Sequence, residues 1–136
     1  LRKLDHSIAA WNARYQQVEA GLRGVRGLTV IERPQQEFYV GSSIQFLLLD
    51  WPSDKVEAVV HGCAGRGVEL KWFGAAEPRG FTSRYDSWRY APKQSLPKSD
   101  RILRSILDMR LPLTFSLQDC DVIAEIIREE VEKIAV

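Results

Sequence analysis

Residues that bind metals or form disulfides are scarce in this sequence. It has two histidines, His6 and His61, and two cysteines, Cys63 and Cys120, with no CxxC spacing and no histidine cluster. A zinc site or a disulfide framework therefore lacks its usual pattern. No apolar run approaches the ~18 residues of a membrane span. GxGxxG, P-loop, HExxH and GxSxG patterns are missing as well, so nucleotide, metallohydrolase and serine-hydrolase chemistry have no signature here. Gly62, Gly65 and Gly67 fall at the end of an expected helix, which is C-cap spacing and not a phosphate loop. Excess charge of one sign is lacking too: 19 Lys and Arg against 18 Asp and Glu leave a net charge of +1, which argues against a generic polyanion binder.

What is present suits one soluble domain. The chain has 136 residues, 45% of them apolar and 27% charged, a size that can bury roughly 68% of the surface its unfolded form exposes. It begins at Leu1 and its only methionine is Met109, so part of a longer protein is expected. Charge is unevenly spread. Seven basic and two acidic residues lie between Arg79 and Arg104, and six acidic residues with one arginine lie between Asp119 and Glu132. The first region can attract an anion; the second reads as the solvated face of a helix. The segment from Lys71 to Pro92 gathers Trp72, Phe73, Phe81, Tyr85, Trp88 and Tyr90 with Arg79, Arg84 and Arg89. After Phe73 it fits neither a helical nor a strand period. Aromatic and guanidinium groups together suit planar or anionic ligands, and the competing reading is a loop whose aromatics cap the core.

Leu1, Leu4, Ile8, Trp11, Tyr15, Val18 and Leu22 form a narrow seam over three heptads, predicting a helix about 32 Å long. Gly21, Gly24 and Gly27 end it. A short strand is expected at Leu28 to Ile31. A longer one is expected at Glu37 to Leu49, central because its second half is apolar on both faces. Ser53 is a plausible N-cap for a helix burying Val56, Val59, Val60, Cys63 and Ala64, and Val68 to Phe73 returns as a strand, completing a βαβ unit. Cys63 and Cys120 fall on apolar stripes, where a free thiol acts as a small hydrophobe, in keeping with a reducing, cytoplasmic setting. Ser99 can cap a helix with Ile102, Leu103, Ile106 and Leu107 inward. Met109 to Phe115 reads as a strand with Arg110 at its start. Ser116 and Asp119 resemble a capping pair ahead of a final helix burying Leu117, Cys120, Ile123, Ile127, Val131 and Ile134. The fold class is α/β in the two-layer α+β sense: a small mixed or antiparallel sheet with helices on one side, preceded by a long helix.

His6 and His61 lie off the core stripes as surface residues, Asp86 between Arg84 and Arg89 reads as a salt-bridge partner, and Lys71 beside Trp72 is a possible Schiff-base nucleophile. The order of several elements is more telling. These are a leading helix with Arg14-Tyr15, a strand around Ser43-Ile44-Gln45-Phe46, a Gly-terminated helix, the strand Val68 to Phe73, and the closing LPLTFSLQDCDVIAEII. Together they resemble the C-terminal small domain of fold type I, pyridoxal-phosphate-dependent aminotransferases, and most of all the DegT/DnrJ/StrS group. The resemblance covers nearly the whole chain, with 1–27 as a leading interdomain helix and turn and 28–136 as the small domain. It implies that the cofactor lysine and most phosphate ligands belong to a large N-terminal domain that this chain lacks. The chain would then close over the active site, bind substrate and contribute to a homodimer, without catalytic or cofactor-binding residues of its own. It also implies that Arg110, in Asp108-Met109-Arg110-Leu111-Pro112, forks onto a substrate carboxylate, as lysine could not; its competing reading is a pair with Asp108 or the acidic final helix. The group's common His-Tyr element is replaced here by Trp72-Phe73-Gly74, with Ser83-Arg84-Tyr85 later. Arg84, Tyr85, Trp72, Phe73, Trp88 and Arg89 are the further candidates for the substrate pocket. The alternatives are a stand-alone ferredoxin-like ligand-binding or regulatory module, and single-strand RNA binding through stacked aromatics, which the charge balance disfavours.

Overall fold

The computed structural model describes residues 3–77, 86 and 88–135. In chain order the elements are α1 (Leu4–Leu22), β1 (Thr29–Val30), β2 (Ser43–Leu47), α2 (Ser53–Gly65), β3 (Lys71–Trp72), α3 (Pro97–Leu103), β4 (Ile106–Arg110) and α4 (Leu117–Ile134). The sheet has the order β1-β2-β4-β3, and every neighbouring pair is antiparallel. Strands β2 and β3 run parallel to each other, as the ends of a βαβ unit do, but β4 is inserted between them. The expected unit exists in split form.

Alternation along the strands produces two unlike faces. Ile44, Phe46, Leu48, Leu107, Met109, Leu111, Leu70 and Trp72 are buried and join one core with Tyr15, Val18 and Leu22 of α1, Val56, Val59 and Cys63 of α2, and Cys120, Ala124, Ile127 and Val131 of α4. Ser43, Gln45, Leu47, Ile106, Asp108 and Lys71 lie on the opposite face, which no helix covers, and are half-buried. Helix α4 packs against both α1 and α2. The α1–α4 approach is close because Gly21 meets Ala124: a Cβ at Gly21 would lie 2.6 Å from the Ala124 methyl carbon.

The long seam on α1 is used internally from Ile8 onwards, with Ile8, Tyr15, Val18 and Leu22 buried, while Leu4 is 50% exposed. Helix α4 starts as its sequence requires. The Ser116 hydroxyl accepts from the Asp119 N–H at 3.0 Å and the Asp119 carboxylate accepts from the Ser116 N–H at 2.7 Å, a complete capping box.

Several boundaries differ from the sequence-based expectations. The strand expected over Glu37 to Leu49 is confined to Ser43–Leu47. Phe38 and Val40 are exposed, because Asn12 of α1 takes the local backbone instead, donating to the Tyr39 carbonyl at 3.1 Å and accepting from the Gly41 N–H at 2.7 Å. The strand expected over Met109 to Phe115 is Ile106–Arg110. It stops after Leu111 donates to the Ser42 carbonyl at 2.9 Å, since on the β2 side the Ser42 N–H turns onto the Val40 carbonyl and the Gly41 N–H onto Asn12, while Phe115 turns back onto the Pro112 carbonyl. Ile106 and Leu107 thus belong to β4, and α3 buries nothing, with Ile102 exposed. Ser53 does not cap α2: the Pro52 carbonyl accepts the first helical N–H bonds and no side chain caps the end. Ala64 and Leu117 are exposed, and Ala124, Ile126 and Glu130 take up the buried stripe of α4.

Gly21→Val should push α1 from α4 and lower stability by about 2 kcal/mol, the cost of overpacking a core, read as a lower urea midpoint at unchanged slope. The hydrogen bonds from the Ser116 N–H and hydroxyl hold the Asp119 carboxyl below its ordinary value. A depressed acid stabilises above its unfolded pKa of about 3.9 and loses that contribution as pH falls through the folded value. The urea midpoint of the unaltered chain should therefore exceed that of Asp119→Asn at neutral pH, with the gap closing in acid.

Candidate functional site

Strand β4 pairs along its full length with β2, but β3 reaches it only at Lys71↔Asp108 and Trp72↔Leu107. The cause lies at the end of α2. Gly67, at φ 86°, donates to the Ala64 carbonyl, and Val68 donates to that of Cys63 at 2.9 Å. The chain therefore leaves in the helix layer, where Val68 and Leu70 are buried, and must climb to the sheet before it can pair. The wedge left between the residues ahead of β3 and the end of β4 is a cleft of about 610 Å³ lined by Gly67 to Lys71, Asp108 to Arg110, Pro112, Phe115 and Ile123.

Leu111 donates towards β2, so strand alternation turns the Arg110 N–H the other way, into the cleft. Glu69 would stand opposite it if the ladder continued, and the ladder does not. The Arg110 side chain is exposed on the rim and forms no ion pair or hydrogen bond among the described residues. Its two expected competitors are engaged with other partners. Asp108 accepts a hydrogen bond from the Gln45 side-chain amide, which also donates to the Ser43 hydroxyl at 2.9 Å. On α4, Arg66 pairs with Glu129 and Glu130, and Lys133 also pairs with Glu130. Met109, Phe115 and Ile123 supply an apolar floor. A guanidinium fork over apolar walls can hold a carboxylate whose body is desolvated.

The other candidate residues among the described ones lie mostly outside this cleft. Lys71 lines it, with Nζ 5.1 Å from the centre of the Phe73 ring. Trp72 points to the core face, is 8% exposed, and donates from Nε1 to the Arg104 carbonyl at 2.8 Å. It borders a separate hollow of about 450 Å³ together with Glu57, His61 and Glu77. Trp72 and Arg110 therefore lie on opposite sides of the sheet. Phe73 is partly exposed, and Trp88 and Arg89 are exposed, none of them lining the cleft. Arg84 and Tyr85, with Arg79 and Phe81, lie outside the described residues.

Three contributors stand in the sequence only as marks of the order of elements and not as candidate site residues. Ser43 and Gln45 enter through their register opposite Arg110 and Asp108. Their polar alternation with Ile44 and Phe46 was the available signal, but it does not name a partner strand. Arg14 is the third. It donates to the carbonyls of Phe115 at 2.6 Å, Leu113 at 3.0 Å and Ala10 at 2.7 Å, so α1 grips the segment that carries the Phe115 wall.

The chain matches no protein-family model and no curated protein. Solved structures do match. The aminotransferase TlmJ from Streptoalloteichus hindustanus superposes with a TM-score of 0.77 at 19% identity, over 98% of this chain and 34% of TlmJ. For 3-amino-5-hydroxybenzoic acid synthase the TM-score is 0.74 at 18% identity, over 97% of this chain and 36% of that one. DesI, solved in the presence of its TDP-sugar product, superposes at 0.74 and 13% identity, over 98% of this chain and 33% of its own. This is the fold of about one third of an aminotransferase. At such identities the likeness is one of fold, and it meets the expectation drawn from the sequence while giving a ferredoxin-like module no support. Within this aminotransferase-type fold no group of three or more potential metal ligands occurs among the described residues, and no helix there is long and apolar enough to cross a membrane.

The cysteines of this aminotransferase-type fold are free and buried. Burial pushes the Cys63 thiol up to about 12, with the Glu130 carboxylate adding to the shift, and burial likewise raises Cys120. Both thiols should stay protonated and resist a disulfide-exchange reagent at pH 8 in the folded chain, reacting fully once urea unfolds it. Rapid native labelling of either would contradict this burial.

Proposed function

We propose that this chain is the C-terminal small domain of a pyridoxal-phosphate-dependent aminotransferase of the DegT/DnrJ/StrS group. In this reading it closes over an active site carried by a large N-terminal domain, binds part of the substrate, and contributes to a cytoplasmic homodimer. The fold match over about a third of three aminotransferases supports it. The observation that carries the site is Arg110, a guanidinium without an ion-pair partner among the described residues, on the rim of an apolar-floored cleft.

The described residues do not fit pyridoxal phosphate itself. Its phosphate needs a cradle of available N–H groups, yet α4 starts on its own capping box with the Asp119 carboxylate in place, and the turn into α2 begins at Pro52, which has no N–H. Cofactor chemistry is therefore assigned to the larger domain. This chain's part is to orient a substrate carboxylate at Arg110, to shield it from water with Met109, Phe115 and Ile123, and to present Phe73, Trp88 and Arg89 towards the facing domain. Trp72 supports the site from the core, through its bond to the Arg104 carbonyl. The exposed start of α1, at Leu4, would lie along the large domain.

The coding sequence upstream of Leu1 should specify a large domain with a cofactor lysine, and its absence would end this reading. In the complete enzyme, Arg110→Ala should raise KM for the carboxylate substrate about 10- to 100-fold, the range for losing charge-assisted hydrogen bonds. Arg110→Lys should recover little, since it lacks the fork. An unchanged KM in Arg110→Ala and in Arg84→Ala would dismiss the carboxylate assignment.

A further inference from the structure

Arg110 is available although a carboxylate stands close to it on its own strand. Asp108 lies two residues away on the same face of β4, a spacing of about 7 Å that an arginine side chain spans easily. An arginine beside an accessible carboxylate ordinarily folds onto it. Here Asp108 is directed elsewhere. It stands directly across from Gln45, and Ser43 directly across from Arg110. Because the Leu111 N–H to Ser42 carbonyl bond places the hydrogen-bonded pairs at alternate positions, both of these are non-hydrogen-bonded pairs, the kind in which opposed side chains approach most closely. The Gln45 amide uses its two N–H bonds to bridge the Ser43 hydroxyl, at 2.9 Å, and the Asp108 carboxylate. The carboxylate is drawn across the sheet towards β2 and away from the rim, and the hydroxyl facing Arg110 is occupied by the same amide.

We propose that Gln45 is a positioning residue which, by holding Asp108 across the β2–β4 ladder, keeps the Arg110 guanidinium open to an external carboxylate. The idea rests on the carboxylate reading above for its purpose, but not for its test. Replacing Gln45 by leucine removes both donors while retaining an apolar side chain of similar size. Asp108 then swings to Arg110, and a ligand must first break that exposed ion pair.

Two measurements on the 15N-labelled 136-residue chain separate the proposal from the reading beneath it. Without ligand, the order parameter of the Arg110 Nε–Hε vector should be below about 0.6 in the unaltered chain, rise towards about 0.8 in Gln45→Leu, and fall again in Gln45→Leu/Asp108→Asn. With isovalerate as the probe, the Arg110 Nε signal should shift saturably. The apparent Kd should increase about threefold in Gln45→Leu, the size of an exposed ion pair, and return to the original value when Asp108→Asn is added. An Arg110 order parameter unmoved by Gln45→Leu, or raised but not restored by Asp108→Asn, overturns the positioning role. Order parameters that behave as stated while isovalerate leaves Arg110 unshifted would retain the positioning role and overturn the carboxylate reading instead.

Discussion

The pairing of β2 with β4 is the contact on which the other features depend. It joins segments about sixty positions apart, five residues against five, and Leu111 extends it by one more bond to Ser42. Forming it costs the closure of a long loop, so the contact must bury enough to compensate. Ile44, Phe46, Leu107 and Met109 do so on one face, all at 5% exposure or less. The other face of the same ladder sets Ser43 against Arg110 and Gln45 against Asp108. One register thus determines both the core and the chemistry, and a slip of one residue would exchange them.

The cleft is a second consequence of this arrangement. Because β4 enters between β2 and β3, the chain leaving α2 has to climb from the helix layer to the far side of β4. It pairs with that strand at Lys71 and Trp72, and the Phe73 N–H adds a bond to the Ile106 carbonyl. The opening is held from several sides: Val68 and Leu70 are anchored in the core, Arg14 ties the 113–115 segment to α1, and Arg66 and Lys133 compensate the buried Glu130 where α4 crosses α2. Glu130 can sit so close because its neighbour on α2 is Gly62, where a Cβ would lie 2.3 Å from the carboxylate. A pre-formed cavity with fixed walls needs little reorganisation to receive a ligand.

Local signals in the sequence translated well wherever the physics was local. The capping box at Ser116 and Asp119, the glycine stop after α2, and the valine stripe of Val56, Val59 and Val60 all involve residues within one or two turns of one another. Alternation was less dependable. Phe38 and Val40 alternate like strand residues, yet Asn12 of a distant helix occupies their backbone. Leu111, Leu113 and Phe115 alternate as well, but the chain turns at Pro112 to Phe115, and the pairing strand had already been formed by Ile106 to Arg110. Of the residues expected in the substrate pocket, Arg110 reached a cleft, whereas Trp72, on the opposite parity of β3, was turned into the core. Parity on a two-residue strand is decided by its partner, and β3's partner residues lie 35 and 37 positions later.

The sequence by itself determined the kinds and order of the elements, the helix that caps itself, the two inert thiols and the resemblance to an aminotransferase small domain. Each of these follows from composition, from short-range periodicity or from the order of motifs along the chain. Only the tertiary structure decided that β4 separates β2 from β3, that the strands part beside Arg110, and that Gln45 holds Asp108 away from it. These are relations between segments that share no local signal. They arise because backbone hydrogen bonds had to be closed across the sheet while the apolar residues of three helices were buried against one of its faces.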